Sequence, residues 1–259
     1  MFLRRPAVVF FVIAGVTGAW FAGMSADPAA AAEIDHARQY RVCMALAQRD
    51  PEEAFEAAIA WRGLGGGKAA DHCAAAALMG LALYEEAARR FEALAETVRA
   101  KPDFKAGLLT HAAQAWLLAG NADRAVAVLD TALAFVPDDV GMLVDRAAAL
   151  ASLGAYAAAV TDLDRAIELD PGRPDAFVFR ASAHRFLDHT AKAAVDVERA
   201  LTLDPNHAEG LLERGILRRL ASDSQGARRD WLAAIARAPG TPTAKAARAN
   251  LQKMDDPDR

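Results

Sequence analysis

The chain has 259 residues, a net charge of −4 and 25% charged side chains, enough for one or two ordinary domains. Its acids and bases are spread rather than clustered, so there is no electrostatic case for nucleic acid.

Residues 1–32 begin with Arg4 and Arg5, continue through an uncharged apolar run at 7–24, and end with Ala29, Ala30, Ala31 and Ala32. A charged start, an apolar middle and a small-residue end predict an export signal, cut near Ala31 or Ala32. The run is at the lower edge of membrane-spanning length, so an uncleaved anchor with the domain outside is the competing reading. In both cases the rest lies outside the cytoplasm, and the Ala- and Arg-rich composition suggests a bacterial periplasm.

Residues 33–101 read as looser helix pairs. A first helix over 33–47 carries Ala37, Tyr40, Met44 and Ala47 on one face. Asp50 caps the next, with Pro51 in its first turn and Glu53 placed for a capping box. Residues 63–67, rich in glycine, predict a flexible break. Segments 71–81 and 84–100 form the following hairpin. The two cysteines, Cys43 and Cys73, fall in the first helices of these two pairs. Equivalent helices of stacked pairs lie side by side, so an exported chain favours a Cys43–Cys73 disulfide, the alternative being two buried thiols.

From residue 106 the chain repeats. Segments 106–139, 140–173, 174–207 and 208–241 align at a fixed offset of 34 residues, with Pro137, Pro171, Pro205 and Pro239 in one slot. In the second segment Leu143, Ala147, Leu150 and Leu153 make one helical stripe, Gly154 interrupts it, and Tyr156, Ala159, Leu163, Ala166 and Ile167 make another. Pro171 cannot continue that second helix. A hairpin this short cannot bury its apolar face alone and has to stack on its neighbours.

These residues resemble the tetratricopeptide repeat family. The resemblance covers the four segments strictly and 33–101, through Tyr84, Ala87, Phe91 and Leu94, as two degenerate units. It implies an all-α, right-handed superhelical solenoid of stacked helix hairpins. His184 and Arg218 depart from the pattern, standing where a large apolar residue is usual. Arg146, Arg180 and Arg214 also depart from it. They share a slot in three units, and Asp162, Asp196 and Asp230 follow each by sixteen residues. In the unit at 106–139 the two slots hold Ala112 and Val128, so acid and base vanish together. A ladder of Arg–Asp pairs is expected, the alternative being solvated surface charges.

After Pro239, Thr241 caps a helix expected over 242–254, closing the array with Lys245, Arg248 and Lys253 outward and Ala246, Ala249 and Leu251 inward. Residues 255–259 are expected to form a frayed tail.

Motifs for chemistry are missing. Gly65-Gly66-Gly67-Lys68 lacks the leading glycine, the Ser or Thr and the preceding strand of a phosphate loop. The six histidines show no His-x-x-x-His spacing and the cysteines no Cys-x-x-Cys, so no metal site or other cofactor is expected. There is no Gly-x-Ser-x-Gly elbow, and no enzymatic activity is expected. What remains is a surface. The resemblance implies that the first helices of successive units hold protein segments in a concave groove. The corresponding residues are Thr110, Gln114 and Leu117; Val144, Ala148 and Ala151; Val178, Ser182 and Arg185; and Leu212, Ile216 and Arg219. Several of these could instead pack between units. The expected partner is an apolar protein segment, acidic where it meets the basic rim of Arg185 and Arg219. The expected role is a non-catalytic periplasmic scaffold or adaptor in cell-envelope assembly. The alternative is a membrane-anchored accessory subunit of an export or cytochrome-maturation complex.

Overall fold

The computed structural model describes residues 35–256, so the expected export signal lies outside the described residues. Among the described residues there are thirteen α-helices and no strand. They are α1 (His36–Arg49), α2 (Pro51–Trp61), α3 (Gly67–Gly80), α4 (Tyr84–Thr97), α5 (Pro102–Leu118), α6 (Ala122–Phe135) and α7 (Val140–Ser152). The rest are α8 (Tyr156–Leu169), α9 (Pro174–Phe186), α10 (Thr190–Leu203), α11 (Ala208–Leu220), α12 (Ser224–Arg237) and α13 (Pro242–Asp255). Each odd-numbered helix from α1 to α11 packs on the even-numbered helix that follows it, and α1, α5, α7, α9 and α11 also pack on the next odd-numbered one. The fold is an all-α solenoid of stacked hairpins.

Small residues allow the helices to approach. Ala125, Ala159, Ala193 and Ala227 occupy one slot of the 34-residue grid, and Ala132, Ala166, Ala200 and Ala234 another; all are fully buried. Ala113, Ala147 and Ala181 share a third slot, where the last unit has Gly215 instead. The facing slot holds Leu129, Leu163 and Val197, then Trp231. A Cβ at Gly215 would lie 2.3 Å from Trp231 Nε1, so the smaller residue makes room for the larger ring. Trp231 Nε1 donates to the Leu212 carbonyl at 3.2 Å, which satisfies its one polar atom.

The hairpin turns sit on the same grid. Gly120, Gly154, Asp188 and Ser222 all have positive φ, the last two at 61° and 65°. The equivalent turn between α3 and α4 uses Ala82, at φ 57°. Left-handed backbone strains every residue that carries a Cβ. Ala82→Gly and Ser222→Gly should therefore each raise stability by about 1 kcal/mol, read as a higher urea midpoint; an unchanged or lower midpoint would count against strain at these turns.

Ala82 precedes Gly120 by 38 positions, where later turns are 34 apart. The extra four residues are one more helical turn at the start of α5, which opens at Pro102 rather than near residue 106. Pro102 therefore begins a helix, as Pro51, Pro174 and Pro242 do, because a first-turn residue needs no backbone N–H.

The break at 63–67 is ordered, which corrects the expectation of flexibility. Arg62–Gly66 winds as a wide π-type turn between α2 and α3. Gly66 packs on the Trp61 ring so closely that a Cβ would lie 2.7 Å from it. Trp61 Nε1 donates to His36 Nδ1 at 3.0 Å, and Arg62 pairs with Asp71 at 2.9 Å. Glycine is needed there for close approach, and neighbours fix the turn.

Arg146, Arg180 and Arg214 each reach two helices. Arg146 bonds both oxygens of Asp162 in its own hairpin at 2.8 and 2.7 Å, and Asp130 of the preceding hairpin at 2.8 Å. Arg180 does the same with Asp196 (2.9 and 2.7 Å) and Asp164 (2.7 Å). Arg214 does so with Asp230 (3.0 and 2.9 Å) and Glu198 (3.3 Å). The inner carboxylates Asp162, Asp196 and Asp230 are buried, while Asp130, Asp164 and Glu198 are exposed. Hydrogen bonds to the inner aspartate, ahead of those to the outer acid, hold each of the three guanidinium groups above its ordinary range. Each rung therefore ties the two helices of one unit to the unit before. Between α4 and α6, where the arginine slot is Ala112, Glu92 instead accepts from Trp116 Nε1 (2.5 Å) and Arg124 Nη2 (2.6 Å).

Arg218, apolar in the family pattern, turns to Asp230 at 2.7 Å and joins the last rung. His184 is 92% buried in the same slot, and its Nδ1 has no hydrogen-bond partner. In α13 the buried residues are Thr243, Ala244 and Ala247; Ala246 and Ala249 are exposed. Leu251 packs inward and Lys245, Arg248 and Lys253 are exposed as expected, but Thr243, Ala244 and Ala247 take the inward places expected of Ala246 and Ala249, with Thr243 held by Glu209 of α11 through a 2.6 Å hydrogen bond. Asp255, expected in the tail, instead closes α13 and pairs with Arg228, and residues 257–259 lie outside the described residues.

Candidate functional site

The first helices of the four strict units, α5, α7, α9 and α11, present the candidate surface. Val144 and Val178 do not belong to it. They are only 4% and 5% exposed and pack inside the core, so their role is to join units. Gln114 is half-buried and donates to Asp145 on the next unit at 2.9 Å. Burial raises the Asp145 carboxyl above its ordinary range, an effect that the Gln114 hydrogen bond partly offsets. Arg185 is also engaged: its Nε lies 2.6 Å from Glu213 of the next unit, whose side chain is 7% exposed. The expected basic rim is therefore neutralised at Arg185, while Arg219 remains exposed.

Thr110, Leu117, Ala148, Ala151, Ser182, Leu212 and Ile216 are half-buried. The Thr110 hydroxyl is turned back to the Ala106 carbonyl at 3.0 Å. Leu212 and Ile216 lie against the cluster that includes Trp231 and Ala247 of the closing helix.

The stronger apolar feature was missed. Leu118, Phe186 and Leu220 occupy one slot of the 34-residue grid, with Ser152 as the fourth member, and are 58%, 52% and 62% exposed. They end the first helices. Phe186 stacks on Tyr156 at 4.6 Å between ring centres, and the Arg185 guanidinium covers it at 4.3 Å. Phe179, one slot nearer the N-terminus of its helix, is also exposed. The recurring slot was visible in the sequence, but large residues at a helix end look like turn-side packing until their exposure is known.

A second concavity lies in the degenerate units. Tyr40, His72, Leu94, Val98 and Phe104 line a largely apolar cavity of about 240 Å³. Tyr40 Oη lies 2.8 Å from His72 Nδ1, and the His72 ring meets Phe91, Phe104 and His111. Burial, then repulsion from His111, lowers the His72 pKa to about 4. Because the folded pKa lies below the unfolded value near 6.5, the unfolded chain binds the extra proton. The stabilisation is complete above pH 6.5 and is lost as pH falls towards 4. Stability should drop by on the order of 1–2 kcal/mol across that window, since the ring is partly wet. His72→Gln should flatten this part of a stability–pH curve; an unchanged slope would contradict the assignment.

Among the described residues, no group of three His, Cys, Asp or Glu side chains is placed to hold a metal ion. No described helix is long and apolar enough to cross a membrane.

Comparison with known proteins agrees with this architecture. Residues 114–184 match the family model described as tetratricopeptide repeat. A tetratricopeptide repeat protein from Parabacteroides merdae superposes with a TM-score of 0.67 at 16% identity, over 85% of this chain and 86% of that one. MamA from Desulfovibrio magneticus RS-1, residues 41 to its end, gives a TM-score of 0.53 at 19% identity, over 78% and 94%. No curated protein matches the sequence. These two structural likenesses establish the fold alone, and the family match lies within residues 114–184, with the 34-residue grid continuing on either side of it.

Proposed function

We propose that this protein is an exported, non-catalytic scaffold that holds segments of partner proteins against the first helices of its repeats. The observation that carries this reading is the exposed row of Leu118, Phe186 and Leu220 in one slot of the grid, interrupted by Ser152 in the second unit, with Phe179 exposed on the same helix as Phe186. Apolar side chains repeated on a rigid array suit an extended or helical partner that sets an apolar residue on the first, third and fourth strict units. The neutralised Arg185–Glu213 pair leaves Arg219 as the polar anchor, so a partner carrying an acid at that end fits best.

Export to the periplasm is part of the proposal. It is supported by the apolar run at 7–24 and by the Cys43–Cys73 bond, which persists in oxidising compartments. A role in bringing cell-envelope proteins together follows from that location. A photo-activatable residue placed at 186 in living cells should crosslink to discrete proteins, while one at the exposed position 232 on α12 should give few or none. Equal crosslinking from both positions would remove the case for this face, and recovery of the full-length chain from the cytoplasm would remove the case for export.

A further inference from the structure

The added turn at the start of α5 has no counterpart in α7, α9 or α11, which open on the 34-residue grid. It carries Phe104, which is 46% exposed and meets the His72 ring edge-on at 6.1 Å between ring centres. His72 meets three more rings: Tyr40, stacked at 5.8 Å, Phe91, edge-on at 5.8 Å, and His111, at 6.4 Å. Tyr40, His72 and Phe104 line the apolar cavity of about 240 Å³ together with Leu94 and Val98, and the small Ala69 leaves it room. The walls thus come from α1, α3, α4 and α5, and the one that departs from the repeat is Phe104.

Two of the walls are fixed by a covalent bond. Cys43 follows Tyr40 by one helical turn and Cys73 follows His72 directly, so their disulfide holds α1 against α3 at the cavity. A ligand there does not have to order its own site, which favours binding. Size narrows the ligand. An apolar cavity of about 150 Å³ admits benzene, whereas drug-sized molecules take about 300–1,000 Å³. A single ring fits between those limits.

Charge narrows it further. Among the described residues, Lys68 is the one charged side chain on the lining, and Asp71 pairs with it at 3.7 Å. Aromatic walls commonly suit a cation, but the Lys68 ammonium opposes one and no acid lines the cavity. Burial keeps the His72 ring neutral, its pKa lowered to about 4. The Tyr40 hydroxyl and the His72 imidazole, 2.8 Å apart, give the lining one polar edge, which a hydroxyl group can meet as donor or acceptor.

We propose that this cavity is a binding site for a small neutral aromatic molecule, a single ring bearing at most one hydroxyl group. The ring packs against Tyr40, His72 and Phe104 and takes the exposed Phe104 face out of water. Apolar burial and ring-on-ring packing supply the affinity. The site uses none of Leu118, Phe186 and Leu220, so it and the scaffold reading can fail separately.

The test is amide chemical-shift mapping on the oxidised chain with phenol and cyclohexanol, two alcohols of nearly equal size. Saturable shifts centred on residues 69–73 and on Phe104 are expected with phenol. Cyclohexanol should bind about fivefold more weakly, the usual worth of an aromatic pair. Ala69→Phe puts a ring into the cavity and should abolish phenol binding. Phe104→Ala, at an exposed position, should keep the fold and weaken phenol binding by about fivefold. An acetylated Gly-Tyr-Gly amide carries the same ring on a peptide and should bind no more tightly than phenol. Markedly tighter binding of the peptide would make the cavity a socket for a partner's tyrosine and overturn the proposal. So would the absence of saturable shifts at these residues, equal affinity for the two alcohols, or undiminished binding by both variants.

Discussion

Replacing Asp230 with alanine is expected to destabilise the protein by about 3 kcal/mol, the cost typical of leaving a buried ion pair half made. Asp230 is 4% exposed and accepts three hydrogen bonds, two from Arg214 and one from Arg218. Its removal takes the carboxylate from Arg218 and leaves Arg214 with only the exposed Glu198 to accept from it, both in a partly dry space. The outer acid of a rung behaves differently. The Asp164 side chain is 52% exposed, and water replaces it readily, so Asp164→Ala should cost less than about 1 kcal/mol. Urea unfolding of the two variants side by side distinguishes a rung from a row of surface charges. Equal, small losses in both would mean that the inner aspartates are surface groups in energetic terms.

Reduction of Cys43–Cys73 is the second large effect. The bond links α1 to α3 across a separation of 30 residues, and both cysteines are buried. Constraining the unfolded chain over a loop of that length contributes about 3–4 kcal/mol. The apolar clusters around it are small, with Ala58 and Ala74 in one and Ala47, Ala54 and Ala77 in the other as the remaining buried members. A Cys43→Ala/Cys73→Ala variant should therefore lose protection from hydrogen exchange in α1–α3 first, while α7–α12 keep theirs. The unreduced, denatured protein should show no reactive thiol. A full complement of labelled cysteines, or uniform loss of protection along the chain, would contradict this account.

The repeat period carried most of the fold in plain view. Alanines and prolines at a spacing of 34 dictate short hairpins that must stack, and the inner partners of the rungs could be paired from the same spacing. Asp130, Asp164 and Glu198 were equally periodic, sixteen residues before each arginine, but an acid on a second helix has no visible tie to the unit that follows until stacking is known. Between the third and second units the grid fails because one added helical turn in α5 shifts everything before it by four residues. The ordered turn at 62–66 was hidden for a related reason: glycine signals both freedom and close contact, and only the position of Trp61 shows which applies. On the candidate surface, periodicity located the first helices but could not say that Val144 and Val178 point into the core while Leu118, Phe186 and Leu220 point out.

The account depends most on each arginine being locked to the buried aspartate of its own hairpin, and a double-mutant cycle on Arg180 and Asp196 measures that directly. With Arg180→Met, Asp196→Leu and the double variant, the losses should fall short of additivity by about 2 kcal/mol, because the double variant leaves no buried charge unpaired, Asp164 being exposed to water. Losses that add to within about 0.5 kcal/mol would show that the two side chains stand independently.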